Sequence, residues 1–126
     1  MSEKCLTIKQ ILKISKWIKR LWAKQDSQIR HYLHTDYGYC CLGVGAEVLH
    51  GSLCWKRTIY AYYFYNTLET TTTSLSGNDA EQLGISEFQE TLIEMNDRGD
   101  SFKQIARRLV DFYKETWNVD FSEILK

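Results

Sequence analysis

Not one proline occurs among the 126 residues. The ring that ordinarily breaks helix interiors and central strands is missing, so no helix or strand is interrupted that way. Long apolar runs are missing too. The longest, Ile59 to Tyr65, is far too short to span a bilayer, and no membrane association is expected. Lys4, Lys9, Lys13 and Lys16 interrupt the N-terminal stretch, which is therefore not expected to act as a targeting signal. Paired Cys-x-x-Cys knuckles are lacking: Cys5, Cys40, Cys41 and Cys54 do not have zinc-ligand spacing, and no metal or cofactor is expected. Without export the thiols are expected to stay reduced, and adjacent Cys40 and Cys41 cannot easily bridge in a regular backbone. Gly43-x-Gly45 lacks both a third glycine and a flanking Lys-Ser/Thr, so no phosphate-cradling loop is present.

What the chain does contain fits one globular domain. Hydrophobic residues make up 44% and charged residues 25%, ordinary for a folded chain of this length. Aromatics at 13% favour a tightly packed core or stacking surfaces. The net charge is zero, but its distribution is uneven. Residues 1–30 hold eight bases against Glu3 and Asp26, whereas residues 67–126 hold twelve acids against six bases. Such asymmetry suits head-to-tail self-association or one face turned to an anionic partner.

Thr7-x-x-Gln10 is a capping box that predicts a helix from Ile8, with Ile11, Ile14, Ile18, Leu21 and Trp22 on one arc. Lys9, Lys13, Lys16 and Arg20 fall on the opposite arc with Lys24, a solvated face or an anion-binding stripe. Ile29 to His34 is expected to pair with Tyr39 to Leu42 across a turn at Thr35–Gly38, with His31 and His34 on opposite faces. Residues 53–73 are rich in strand formers and read as one or two further strands. In the last third, Ser86-x-x-Gln89 and Ser101-x-x-Gln104 each read as a helix cap. The fold class is α+β: a small antiparallel sheet within 29–73, packed by an N-terminal amphipathic helix and a C-terminal helical hairpin.

Between the halves lies Asp36 to Gly51. Tyr39, Cys40 and Cys41 read as extended, then Leu42, Ala46 and Leu49 fall on one face of a short helix that Gly51 can end. Tyr-Cys-Cys-Leu-Gly-Val at 39–44 and Met-Asn-Asp-Arg-Gly-Asp-Ser-Phe-Lys-Gln-Ile-Ala at 95–106 resemble segments shared by a group of small phage and prophage proteins. The resemblance spans roughly residues 8–113 in order, and Gly45-Ala46 depart from its pattern. It implies a viral origin, a shared fold and a place in the cytoplasm of an infected bacterium; no activity comes with it.

Three functional readings stand side by side. Ala80–Ser86 matches the turn of a helix-turn-helix, but the following helix would present Glu87, Glu90, Glu94 and Asp97 to phosphate; sequence-specific DNA readout is excluded on that ground. The leading reading is a binding protein with a nucleotide-like anionic ligand, for example a host immune signalling nucleotide. Its candidate residues are Lys56, Arg57, Tyr60, Tyr62 and His34, in a segment that also holds Tyr63 and Tyr65, since guanidinium and aromatic faces suit phosphates and stacked bases. The alternative is an interaction module that masks a host protein through acidic helices. The third is a cysteine-dependent enzyme using Cys40 or Cys41 at a helix start; no histidine follows His50, and no catalytic residue is assigned. A two-fold homodimer is expected, because an aromatic strand at 59–65 would need cover on both faces.

Overall fold

The computed structural model describes residues 5–23, 25–57, 62–65 and 73–126. The first helix, α1 (Ile8–Trp22), opens on the capping box: Thr7 Oγ1 accepts from Gln10 N at 3.1 Å and Gln10 Oε1 accepts from Thr7 N at 2.9 Å. Ile14, Trp17, Ile18 and Leu21 are buried along one stripe. Trp17 also donates from Nε1 to the Cys41 carbonyl at 2.9 Å, tying α1 to the start of the next helix.

That helix, α2 (Cys41–His50), is the centre of the molecule. Every residue from Cys41 to Glu47 is buried, so it is wrapped on all sides rather than half-buried on one face. Cys40 and Cys41 are not strand: Cys40 is the N-cap, and its Sγ accepts from Gly43 N at 3.4 Å. At the other end Gly51 takes φ 89°, ψ 167°, a glycine conformation that ends the helix without being left-handed helical.

The sheet is antiparallel with strand order β2-β1-β4-β3, built from β1 (His34–Thr35), β2 (Gly38–Tyr39), β3 (Trp55–Arg57) and β4 (Tyr62–Tyr65). The hairpin is far shorter than Ile29–His34 against Tyr39–Leu42. Its first arm is cut short because His31 adopts φ 72°, held by its N–H donating to Asp97 Oδ1 at 2.9 Å; the second is cut short because α2 begins at Cys41, one residue after Cys40 N donates to the Leu33 carbonyl at 3.0 Å. His31 therefore lies outside the strand, and the expected alternation with His34 does not arise.

Three further α-helices follow among the described residues, α3 (Gly77–Gln82), α4 (Gln89–Asp97) and α5 (Phe102–Trp117), and then a short 3-10 helix at Ser122–Leu125. The cap at Ser101 forms as read, with Gln104 reciprocating. The one at Ser86 does not. Phe88 precedes α4 without a side-chain cap, and the Gln89 side chain instead accepts from Leu75 N at 2.6 Å. Helix α5 packs most extensively on α1 and also lies against α4, and Tyr113 reaches across to donate to the Leu83 carbonyl at 2.6 Å. The architecture is α+β as expected, with the C-terminal helical pair and α1 enclosing the core. Among the described residues no helix is long and apolar enough to cross a membrane.

Candidate functional site

Directly opposed residues on neighbouring antiparallel strands share a face. The register pairs His34 with Tyr39 on one side and with Tyr63 on the other, and Tyr63 with Arg57. These four form a row across all four strands. The His34 ring is sandwiched: its centroid is 3.9 Å from Tyr39 at an interplanar angle of 5°, and 4.2 Å from Tyr63 at 23°. Trp55, two residues from Arg57 and so on the same face, tilts against His34 at 5.0 Å. The Gly38 carbonyl lies 2.7 Å from His34 Nδ1 and can only accept, so that nitrogen carries the proton.

Charges anchor both ends of the row. At the outer end, Asp36 Oδ1 accepts from the Tyr63 hydroxyl at 2.8 Å, and Oδ2 pairs with Arg57 Nη2 at 2.7 Å. The hydrogen bond to Asp36 pushes the Tyr63 hydroxyl pKa up. At the inner end, buried Glu47 accepts from the Tyr39 hydroxyl and from Trp55 Nε1, both at 3.1 Å, and pairs with Arg20. Arg20 also holds Asp26 through two bonds of 2.8 and 2.9 Å, and its guanidinium lies 5.3 Å from the Tyr39 ring centroid. The bond to Asp26 raises the Arg20 pKa further above its ordinary value. Burial, aided by Glu47, pushes the Tyr39 hydroxyl up to about 12. The aromatic platform is therefore fixed in place by hydrogen bonds, with Arg57 at its exposed end.

The sequence-predicted residues are only partly brought together. His34 and Arg57 share the row. Lys56 is exposed, but it pairs with residue 64 and alternates to the opposite face from Arg57. The Tyr62 backbone pairs with Thr35, one step from the His34–Tyr63 rung, and Tyr60 lies outside the described residues. The anion stripe divides as well. Lys9 and Lys16 are exposed, Lys13 Nζ donates to the Val48 carbonyl at 3.3 Å, and Arg20 turns inward to Asp26 and Glu47. Sequence reasoning missed Asp36, Tyr39, Glu47 and Trp55 as members of the site, whereas Tyr63 lies in the aromatic segment it singled out. Glu47 did carry a signal: an isolated acid within apolar Cys41–Leu49 must find partners once buried.

A cavity of about 180 Å³ lies elsewhere, lined among others by His31, Cys40, Cys41, Asn96 and Asp97. His31 Nδ1 is 3.3 Å from Asp97 Oδ2, but among the described residues no hydrogen bond joins His31 to either thiol. Burial pushes the Cys40 thiol up to about 11 and raises Cys41 as well, the wrong direction for a nucleophile. Among the described residues no group of three or more His, Cys, Asp or Glu side chains is placed to hold a metal ion. The cavity is also below the roughly 300–1,000 Å³ of typical ligand pockets, too small to enclose a dinucleotide. No family model matches the chain, and no curated protein or solved structure matches it either.

Proposed function

We propose that this chain is a small binding protein of phage type, acting in the cytoplasm of an infected bacterium by sequestering a nucleotide-like signalling molecule. The observation that carries the reading is Arg57 at the exposed end of the Tyr39–His34–Tyr63 row, beside Trp55. A guanidinium next to fixed aromatic faces supplies both elements of nucleotide capture, a phosphate partner and a stacking surface. The rings are already ordered by their own bonds, so little conformational entropy is lost on binding.

Calorimetry against a panel of cyclic dinucleotides and ADP-ribose derivatives tests the reading. Saturable binding that weakens with added salt, and weakens by about tenfold or more in R57A, is the expected result. Arg57 is exposed, so the variant keeps its fold. No heat with any member of the panel overturns it.

The active form in this proposal is a two-fold dimer. Ile8 and Leu12, one turn apart on α1, are 79% and 60% exposed, an apolar pair that self-association would cover.

A further inference from the structure

Between the N-terminal half of α1, the end of α2 and α3 lies a second cavity, of about 160 Å³. Lys9 and Lys13, one helical turn apart on α1, line it together with His50, the last residue of α2, and Asn78, Asp79 and Gln82 of α3. Asp79 is 3% exposed and its Oδ2 lies 2.9 Å from His50 Nε2. The carboxylate accepts from that nitrogen and fixes the imidazole across the gap between α2 and α3. Lys13 Nζ is held at the wall by the Val48 carbonyl. Gln10 braces α1 against α3 by donating from Nε2 to the carbonyls of Glu81 and Gln82 at 3.2 and 3.4 Å. Neither lysine forms an ion pair among the described residues. Glu81, the next acid along α3, is exposed and does not line the cavity.

Donors from three elements thus converge on one small space that contains a single carboxylate, already engaged by His50. We propose that this cavity binds a tetrahedral oxyanion, with a phosphate group as the chemical class. Two ammonium groups and two side-chain amides supply N–H donors to its lining. At roughly 30 Å³ per water the space holds about five waters, enough for a phosphate group with part of its hydration but not for a nucleoside. The site is distinct from the Arg57 row and does not rest on the nucleotide reading.

Histidine-ring NMR on the full chain tests this directly, because His31 serves as an internal control outside both this cavity and the Arg57 row. Inorganic phosphate and glycerol phosphate are titrated separately at constant pH and ionic strength, with chloride as the blank. The expected result is a saturable shift of the His50 resonances with phosphate and none with chloride, while His31 stays in place. A tighter response to the ester would identify a phosphorylated small molecule as the source, and a tighter response to the inorganic ion would identify free phosphate. K9Q/K13Q weakens the response by at least about tenfold; K9Q alone, at an exposed position, gives the same direction should the double variant melt early. R57A separates the two proposals, since it weakens nucleotide binding and leaves the His50 response intact. An unmoved His50, or a shift that K9Q leaves unchanged, overturns the inference.

Discussion

Glu47 is the residue on which the sheet and the helices meet. It is 7% exposed within an otherwise apolar stretch, and it serves Tyr39, Trp55 and Arg20 together. E47A would take the shared carboxylate away from the Tyr39 hydroxyl and Trp55 Nε1, and would leave Arg20 with Asp26 as its one remaining carboxylate in the cluster. Breaking a buried pair in that way costs about 3–5 kcal/mol, whereas E47Q keeps an oxygen for the two neutral donors and should cost less. Urea unfolding of both variants gives the comparison, and an E47A loss below about 1 kcal/mol would mean the cluster contributes little. Gly43 is constrained by space rather than charge. A Cβ there would sit 1.8 Å from the Leu33 carbonyl oxygen, so G43A must push α2 away from β1, with a loss of about 3 kcal/mol or more. The buried thiols supply a pH prediction. Cys40 rises from 9.0 to about 11 on folding, so between those values the native state binds more protons than the unfolded one. Its contribution is complete below pH 9 and declines as the pH climbs towards 11, on the order of 2 kcal/mol at the limit. Chemical denaturation from pH 8 to 11 should show falling stability, and C40S should flatten part of the slope.

At the scale of elements, Asn96 joins segments that the sequence keeps far apart. Its Oδ1 accepts from Cys41 N at 3.2 Å and from Gln28 Nε2 at 3.0 Å, while its Nδ2 donates to the Ile29 carbonyl at 2.7 Å. Helix α4 thereby supplies an acceptor for the first N–H of α2 and fixes the chain before β1. N96A removes all three bonds at a position 1% exposed, and a loss of roughly 2–4 kcal/mol in thermal or urea unfolding is expected. Nothing in the sequence around Asn96 marks it for this role, because all its partners lie more than fifty positions away. Local signals were legible: the capping boxes at Thr7 and Ser101 formed, since a cap depends only on residues three apart. The Ser86 cap failed where a tertiary contact took Gln89 for Leu75 N. The sheet was legible as strand-forming composition, but its register was not. One step of register decides whether a side chain joins the His34 row or the other face, which is why Arg57 was found with its partner site and Lys56 was placed there in error. Tyr39 and Trp55 join the site through strand register and Glu47 through the packing of α2; of the three only Glu47 left a local trace, as an isolated acid in an apolar stretch.

For the whole molecule, the remaining question is how many copies work together. One chain has a mass of 14.9 kDa, and α1 carries Ile8 and Leu12 on its outer side with Lys9 and Lys16 exposed beside them. A two-fold axis near α1 would bring the apolar pair against its own copy, but it would also bring lysines together, at a cost that falls as salt screens them. The contrary arrangement sets the basic α1 of one copy against exposed Glu90 and Glu94 on α4 of the next, and salt would weaken that. Light scattering as a function of salt therefore distinguishes the two. We expect a dimer at micromolar concentration that strengthens, or holds, as salt rises, and that L12E returns to the single-chain mass by placing two carboxylates across the apolar contact. A dimer that dissociates with salt and ignores L12E would point to the head-to-tail pairing instead. A mass of one chain at every salt and concentration would mean that the exposed pair on α1 is simply solvated, as isolated surface apolar residues often are.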